Sequence, residues 1–152
     1  MFEVYFESGA FERAQELFKS NATRGLEALG FLVGRIYSFK GRNYVVVKEF
    51  ITAENDATSV SVRFSRQAFS ELSRQFKEEK SGGGVIVGWA HSHPNYGCFL
   101  SSTDFRTQKA FFPEDFHFAL VCDPIRSECK VFKINGSGYE EVSFAVVKKK
   151  MK

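Results

Sequence analysis

Val85-Ile86-Val87-Gly88-Trp89-Ala90-His91-Ser92-His93-Pro94 is an apolar run ending on two histidines, and Ser101-Ser102-Thr103-Asp104 follows six residues later. The run from Val85 to His91 reads as a strand buried at the centre of a sheet. Pro94 and Gly97 make residues 94–100 a loop, and a helix follows from about Ser102 until Pro113 stops it. His91 and His93 stand at i and i+2, so on a strand both imidazoles point to one side and can reach one point. Zinc takes histidine nitrogen readily and accepts an aspartate oxygen as a third ligand, which Asp104 in the first helical turn can supply. Three protein ligands leave one position for water, the layout of a catalytic site rather than a structural one. Each piece alone has a plainer reading. Two histidines can simply end a strand, and Ser101-x-x-Asp104 can simply be a capping box with Ser101 as N-cap.

Working outward, the first residues alternate as a strand, and Ser8-Gly9 punctuates it. Phe11, Ala14, Leu17 and Phe18 recur at helical spacing and predict an amphipathic helix over 10–20. Residues 21–25 read as a turn and 27–38 as a strand. Lys40-Gly41-Arg42-Asn43 is a hairpin turn into a strand over 44–51. A polar loop over 52–58 leads to a short alternating run over 60–64. Ser65 then caps a helix to about Lys80, with Phe69, Leu72 and Phe76 inward and Ser81-Gly82-Gly83-Gly84 at its end. Strands over 116–122, 130–134 and 139–146 complete the set. Helices and strands mix along one chain without repeat or linker. That predicts one α/β (α+β) domain over 1–147, followed by a solvated basic tail over 148–152.

Composition closes off other classes. Apolar residues make up 43% of the 152-residue chain, enough for a packed core and too many for disorder. The net charge of +3 comes partly from the lysines of the tail, so it gives no case for nucleic acid or membrane binding. No apolar run approaches the roughly 18 residues of a membrane-spanning helix. The N-terminus, Met1-Phe2-Glu3-Val4-Tyr5-Phe6-Glu7, lacks the basic region of a signal peptide. Cys98, Cys122 and Cys129 show no paired spacing and read as thiols of a reducing compartment, with the cytoplasm as the expectation.

The joint spacing HxHPx6SxxD resembles the signature of the JAMM (JAB1/MPN/Mov34, MPN-plus) zinc metalloproteases at every defined position. That family also carries an acidic residue upstream in the form Glu-x-x-Gly-x-x-x-Gly, and this chain has Glu27-Ala28-Leu29-Gly30-Phe31-Leu32-Val33-Gly34. Gly88-Trp89-Ala90, Gly97-Cys98-Phe99-Leu100 and Val121-Cys122-Asp123-Pro124 match as well. In motif these stretches most resemble the deubiquitinases of the proteasome lid and the signalosome. The resemblance implies an MPN fold, a mixed curved β-sheet flanked by helices with an architecture like that of cytidine deaminases.

It further implies that His91, His93 and Asp104 hold Zn2+. Glu27 would take a proton from the zinc-bound water and pass it to the departing amine, and Ser101 would hydrogen-bond the oxyanion. The implied substrates are conjugates of ubiquitin or a ubiquitin-like modifier on lysine amines, whose tail would lie along residues 52–63. A partner subunit or a homodimer is compatible with the family. The chain lacks the long C-terminal helices of lid-type enzymes, which suggests a free-standing core. On the residues alone, an isolated Glu27 would be a solvated glutamate at a strand start. Trp89 shares the histidines' parity and can line the site or pack in the core. Cys98 reads as packing, and His117 as an outward-facing strand residue. Other readings are a JAMM peptidase processing a sulfur-carrier protein and a non-catalytic MPN scaffold. A nucleobase deaminase needs His-x-Glu and Cys-x-x-Cys, which are missing here.

Overall fold

The computed structural model describes residues 2–52, 70, 73–74 and 84–148. The expected loop over 53–58, the alternating run over 60–64 and the helix from Ser65 to Lys80 lie outside the described residues, apart from isolated positions of that helix. So does most of the basic tail.

Among the described residues two helices flank one sheet. In chain order the elements are β1 (Val4–Glu7), α1 (Ser8–Ala22), β2 (Leu29–Phe39), β3 (Arg42–Ile51), β4 (Val85–Ser92), α2 (Ser102–Phe111), β5 (Phe118–Asp123), β6 (Glu128–Asn135), β7 (Gly138–Val142) and β8 (Phe144–Val147). The strand order is β7-β6-β5-β4-β2-β3-β1-β8. β4 pairs parallel with β5, and β1 parallel with both β3 and β8, while the remaining pairs are antiparallel. This is the mixed α+β sheet expected.

The sheet curls strongly. β7 and β8 stand at its two ends, yet only Ser143 separates them in the chain. The rings of Phe6 on β1 and Phe118 on β5 lie 6.0 Å apart, although three strands intervene in the sheet order. A flat sheet would hold β1 and β5 roughly 19 Å apart, at about 4.8 Å per strand. α1 fills the inside of the curl, burying Ala10, Ala14 and Phe18 against Phe6, Phe50 and Leu120. A second cluster packs Leu29, Phe31, Trp89, Val121 and Phe112 on the side of α2.

The two glycines of the upstream motif have a steric cause. A Cβ on Gly34 would stand 1.9 Å from the Val46 carbonyl oxygen, and one on Gly30 would stand 2.5 Å from that of Ile51. The β2–β3 register slips between Val33 and Gly34, a bulge that bends the strand pair. Only glycine permits that approach.

Three expectations need correction. Ser8 and Gly9 do not separate β1 from α1 but form its first turn, since the helix starts at Ser8. The strand expected over 139–146 is two strands, because Ser143 breaks the pairing and the chain crosses to the other edge. His117 precedes β5 instead of lying within a strand, and it is half-buried. Its Nδ1 accepts from the Glu114 backbone N–H at 3.0 Å and its Nε2 reaches the Ile86 carbonyl at 3.2 Å. Burial lowers its pKa, consistent with a neutral structural histidine.

Candidate active site

β4 ends beside the start of α2, and that junction makes the site. His91 lies on β4, and His93 follows it with its backbone N–H donating to the Cys122 carbonyl at 2.8 Å, which continues the pairing with β5. Ser101 is the N-cap of α2, and a capping box joins it to Asp104. The Asp104 N–H donates to Ser101 Oγ at 3.1 Å, and the Ser101 N–H donates to Asp104 Oδ2 at 3.0 Å. The capping role and the site role thus fall on the same residues. Because Ser101 Oγ accepts in the box, its own hydrogen remains available for donation.

The three candidate ligand atoms form a small triangle. His91 Nε2 and His93 Nε2 are 3.1 Å apart, and each lies 3.1 Å from Asp104 Oδ2. All three residues are buried. A tetrahedral zinc about 2.0–2.1 Å from each donor spaces its ligand atoms roughly 3.3–3.4 Å apart, so the triangle has the right size. Its electrostatics ask for a cation. His93 Nδ1 lies 3.0 Å from the Gly97 carbonyl oxygen, which can only accept, so Nδ1 carries a proton. In the neutral ring that leaves Nε2 a lone pair, aimed at a carboxylate oxygen. Two acceptors hold that distance when a positive charge sits between them. A carbonyl behind a ligating imidazole is also the usual arrangement that orients a metal-binding histidine. Burial pushes the Asp104 carboxyl up, but the adjacent His91 imidazole and the Ser101 N–H outweigh it and hold it well below the ordinary range. These residues fit a divalent metal such as zinc.

Glu27 is buried, not solvated. It lies just before β2, and its backbone is tied down on both sides. The Ala28 N–H donates to Ser92 Oγ at 2.9 Å, the Ser92 N–H donates to the Ala28 carbonyl at 3.0 Å, and Asn21 Nδ2 donates to the Glu27 carbonyl at 3.4 Å. The middle residue of His-Ser-His therefore clamps the segment carrying the acid to the segment carrying the ligands. The Tyr96 hydroxyl donates to Glu27 Oε2. Partial burial, then the neighbouring Glu27 carboxylate, push the Tyr96 pKa up, so the phenol is a neutral donor.

Behind the triangle, Trp89 both lines the site and packs in the core. Its ring stacks on His91 with centroids 4.3 Å apart, and its indole N–H donates to Gln108 Oε1. Cys98 packs half-buried against the second cluster, and its thiol is pushed up to about 11 by burial. Asp123, fully buried, accepts from the backbone N–H groups of Asn95, Gly97, Ile125 and Arg126. Nothing in the sequence by itself gives a role to Tyr96, Asp123, Gln108 or the side chain of Ser92. Only the stretch Val121-Cys122-Asp123-Pro124 carried a signal for any of them.

Residues 2–113 match the family model described as JAB1/Mov34/MPN/PAD-1 ubiquitin protease. The chain belongs to this family. The 26S proteasome regulatory subunit RPN11 of Candida glabrata is 33% identical to this JAB-family chain over 105 residues, 67% of this chain and 33% of that protein. The COP9 signalosome complex subunit 5 of Drosophila melanogaster is 32% identical over 106 residues, 67% of this chain and 31% of that protein. A Saccharomyces cerevisiae relative named ubiquitin carboxyl-terminal hydrolase RPN11 is 33% identical over 104 residues, 67% of this chain and 33% of that protein. The chain spans about a third of the length of these curated relatives. In fold, the JAB-family chain resembles the solution structure of DSY2949 from Desulfitobacterium hafniense. The TM-score is 0.71 at 24% identity, with 96% of this chain and 94% of that one covered.

Proposed function

We propose that this domain is a zinc-dependent isopeptidase that removes ubiquitin or a ubiquitin-like modifier from lysine amines. The observation that carries the reading is the buried triangle of His91, His93 and Asp104, whose three ligand atoms stand 3.1 Å from one another. His91, His93 and Asp104 would hold the zinc, which supplies Lewis-acid polarisation of water and of the scissile carbonyl. Glu27 takes a proton from the attacking water and returns it to the lysine nitrogen as the bond to the modifier's carbonyl carbon breaks. The products are a carboxylate and a free amine. Ser101 donates its hydroxyl hydrogen to the oxygen that gains negative charge during attack.

The catalytic domain covers residues 1–147, with 148–152 as a tail. Ubiquitin-type conjugates are the substrate class, as the name of the S. cerevisiae relative supports, and a partner subunit or second copy is compatible with relatives that are complex subunits. Three free thiols and no membrane-crossing helix among the described residues are compatible with a cytoplasmic setting.

The test is cleavage of isopeptide-linked ubiquitin and of small ubiquitin-like conjugates by zinc-loaded protein, with and without a chelator and with Glu27→Gln. The variant should bind one zinc while turnover falls by on the order of 10² to 10⁴, the usual contribution of a general base. Chelation should abolish cleavage and zinc readdition restore it. Failure of zinc-loaded protein to cleave any conjugate would sink the proposal.

A further inference from the structure

Tyr96 touches both halves of the site at once. Its hydroxyl donates to Glu27 Oε2, while its ring stacks on His93 with centroids 4.5 Å apart and planes 19° from parallel. The loop that carries it is fixed on both flanks. Asn95 and Gly97 take positive φ, 67° and 87°, and their backbone N–H groups donate to Asp123 at 2.9 and 2.8 Å. Asp123 also accepts from the Ile125 and Arg126 N–H groups, each at 3.0 Å. The Arg126 guanidinium closes the circuit on the Asn95 carbonyl at 3.1 Å. A non-glycine residue at positive φ persists only where its surroundings over-determine it. Here a buried carboxylate with four backbone donors does so, and the outcome is one placement for the side chain between Asn95 and Gly97.

Glutamate has three rotatable side-chain bonds, and a general base works only within hydrogen-bond reach of its proton. Misplacement by about 1 Å can cost on the order of a hundredfold in rate. We infer that Tyr96 is a positioning residue for Glu27, its hydroxyl holding one carboxylate oxygen so that the group meets the attacking water in a single orientation. The inference rests on the reading of Glu27 as the base. The phenol does not touch the reacting atoms; it acts through the carboxylate.

Tyr96→Phe deletes the hydroxyl and keeps the ring on His93 and the anchors of the loop. In zinc-loaded protein, with a fluorescent lysine peptide isopeptide-linked to ubiquitin, kcat should fall about tenfold, the scale of one hydrogen bond to a charged group. KM and bound zinc should stay within twofold of the parent. A kcat within twofold of the parent overturns the inference, and so does a loss confined to KM, which would make Tyr96 a substrate contact. A second readout needs no turnover. In metal-free protein the side-chain carboxyl carbon resonance of Glu27 should move in Tyr96→Phe and stay put in Tyr139→Phe, a change on β7 at a tyrosine with no contact to Glu27. If the parent cleaves no conjugate, the isopeptidase reading fails and this resonance alone decides. A shift then upholds the link between Tyr96 and Glu27, and an unmoved signal overturns it.

Discussion

Ser101 shows how much one residue carries. Its Oγ caps α2 by accepting from the Asp104 N–H, and the same oxygen can donate outward. Ser101→Ala should therefore lose two separable things. Removing a cap costs about 0.5–2 kcal/mol of stability, and removing an oxyanion donor costs about 10² to 10³ in kcat. Ser101→Thr keeps both functions in principle and should recover most of the stability. Denaturant midpoints and kcat measured on the same samples separate the two losses, and a Ser101→Ala variant with parental kcat would remove Ser101 from the chemistry. The histidines and Asp104 were legible because strand parity and a capping box place them from the sequence alone. Glu27 was legible only through its family spacing, since an isolated glutamate carries no sign that it will be buried on a segment whose backbone Ser92 and Asn21 hold. Tyr96 left no trace, because its position depends on two positive-φ neighbours and a carboxylate 27 residues further along the chain.

That carboxylate belongs to the scale of elements, since Asp123 closes β5 while tying together the loop before α2 and the turn after β5. Burial pushes its carboxyl up, but four backbone N–H groups outweigh this and lower its pKa. A depressed folded-state pKa contributes stability that is present above the unfolded value, about 3.9, and is lost as pH falls through the folded value. Asp123→Asn turns an acceptor oxygen into a donor against N–H groups and should cost about 1–3 kcal/mol at pH 7. The gap between parent and variant should narrow below about pH 4, as proton uptake by this carboxyl in the parent's unfolded chain begins to favour unfolding. Urea midpoints from pH 3 to 8 measure this, and a gap that does not depend on pH would refute the account. Most elements were legible from periodicity and turn residues, with the β2–β3 hairpin clearest because Lys40 and Gly41 both adopt positive φ. The split of β7 from β8 was not legible. Their residues read as one strand, and only the curl of the whole sheet sends Phe144 to the opposite edge, against Val4.

At the scale of the molecule, the candidate ligands join a strand of the sheet to the helix packed beside it. His91 sits in the middle of the sheet on β4, Asp104 sits on α2, and the loop between them is the only covalent link. A metal bound by the native triangle, and less well by the unfolded chain, must stabilise the fold by mass action. At a free zinc concentration 100 times the Kd this amounts to about 2.7 kcal/mol. For a domain near this size each kcal/mol moves Tm by about 2–4 °C, so chelation should lower Tm by roughly 5–11 °C. Asp104→Asn weakens one ligand and also disturbs the capping box, so its own Tm will drop. The informative quantity is the difference between zinc-loaded and chelated samples, which should shrink to near zero in that variant and persist in Glu27→Gln. A chelator effect equally large in parent and Asp104→Asn would place the metal elsewhere on the molecule. Persistence in Glu27→Gln alongside lost turnover would separate the group that moves protons from the groups that hold the ion.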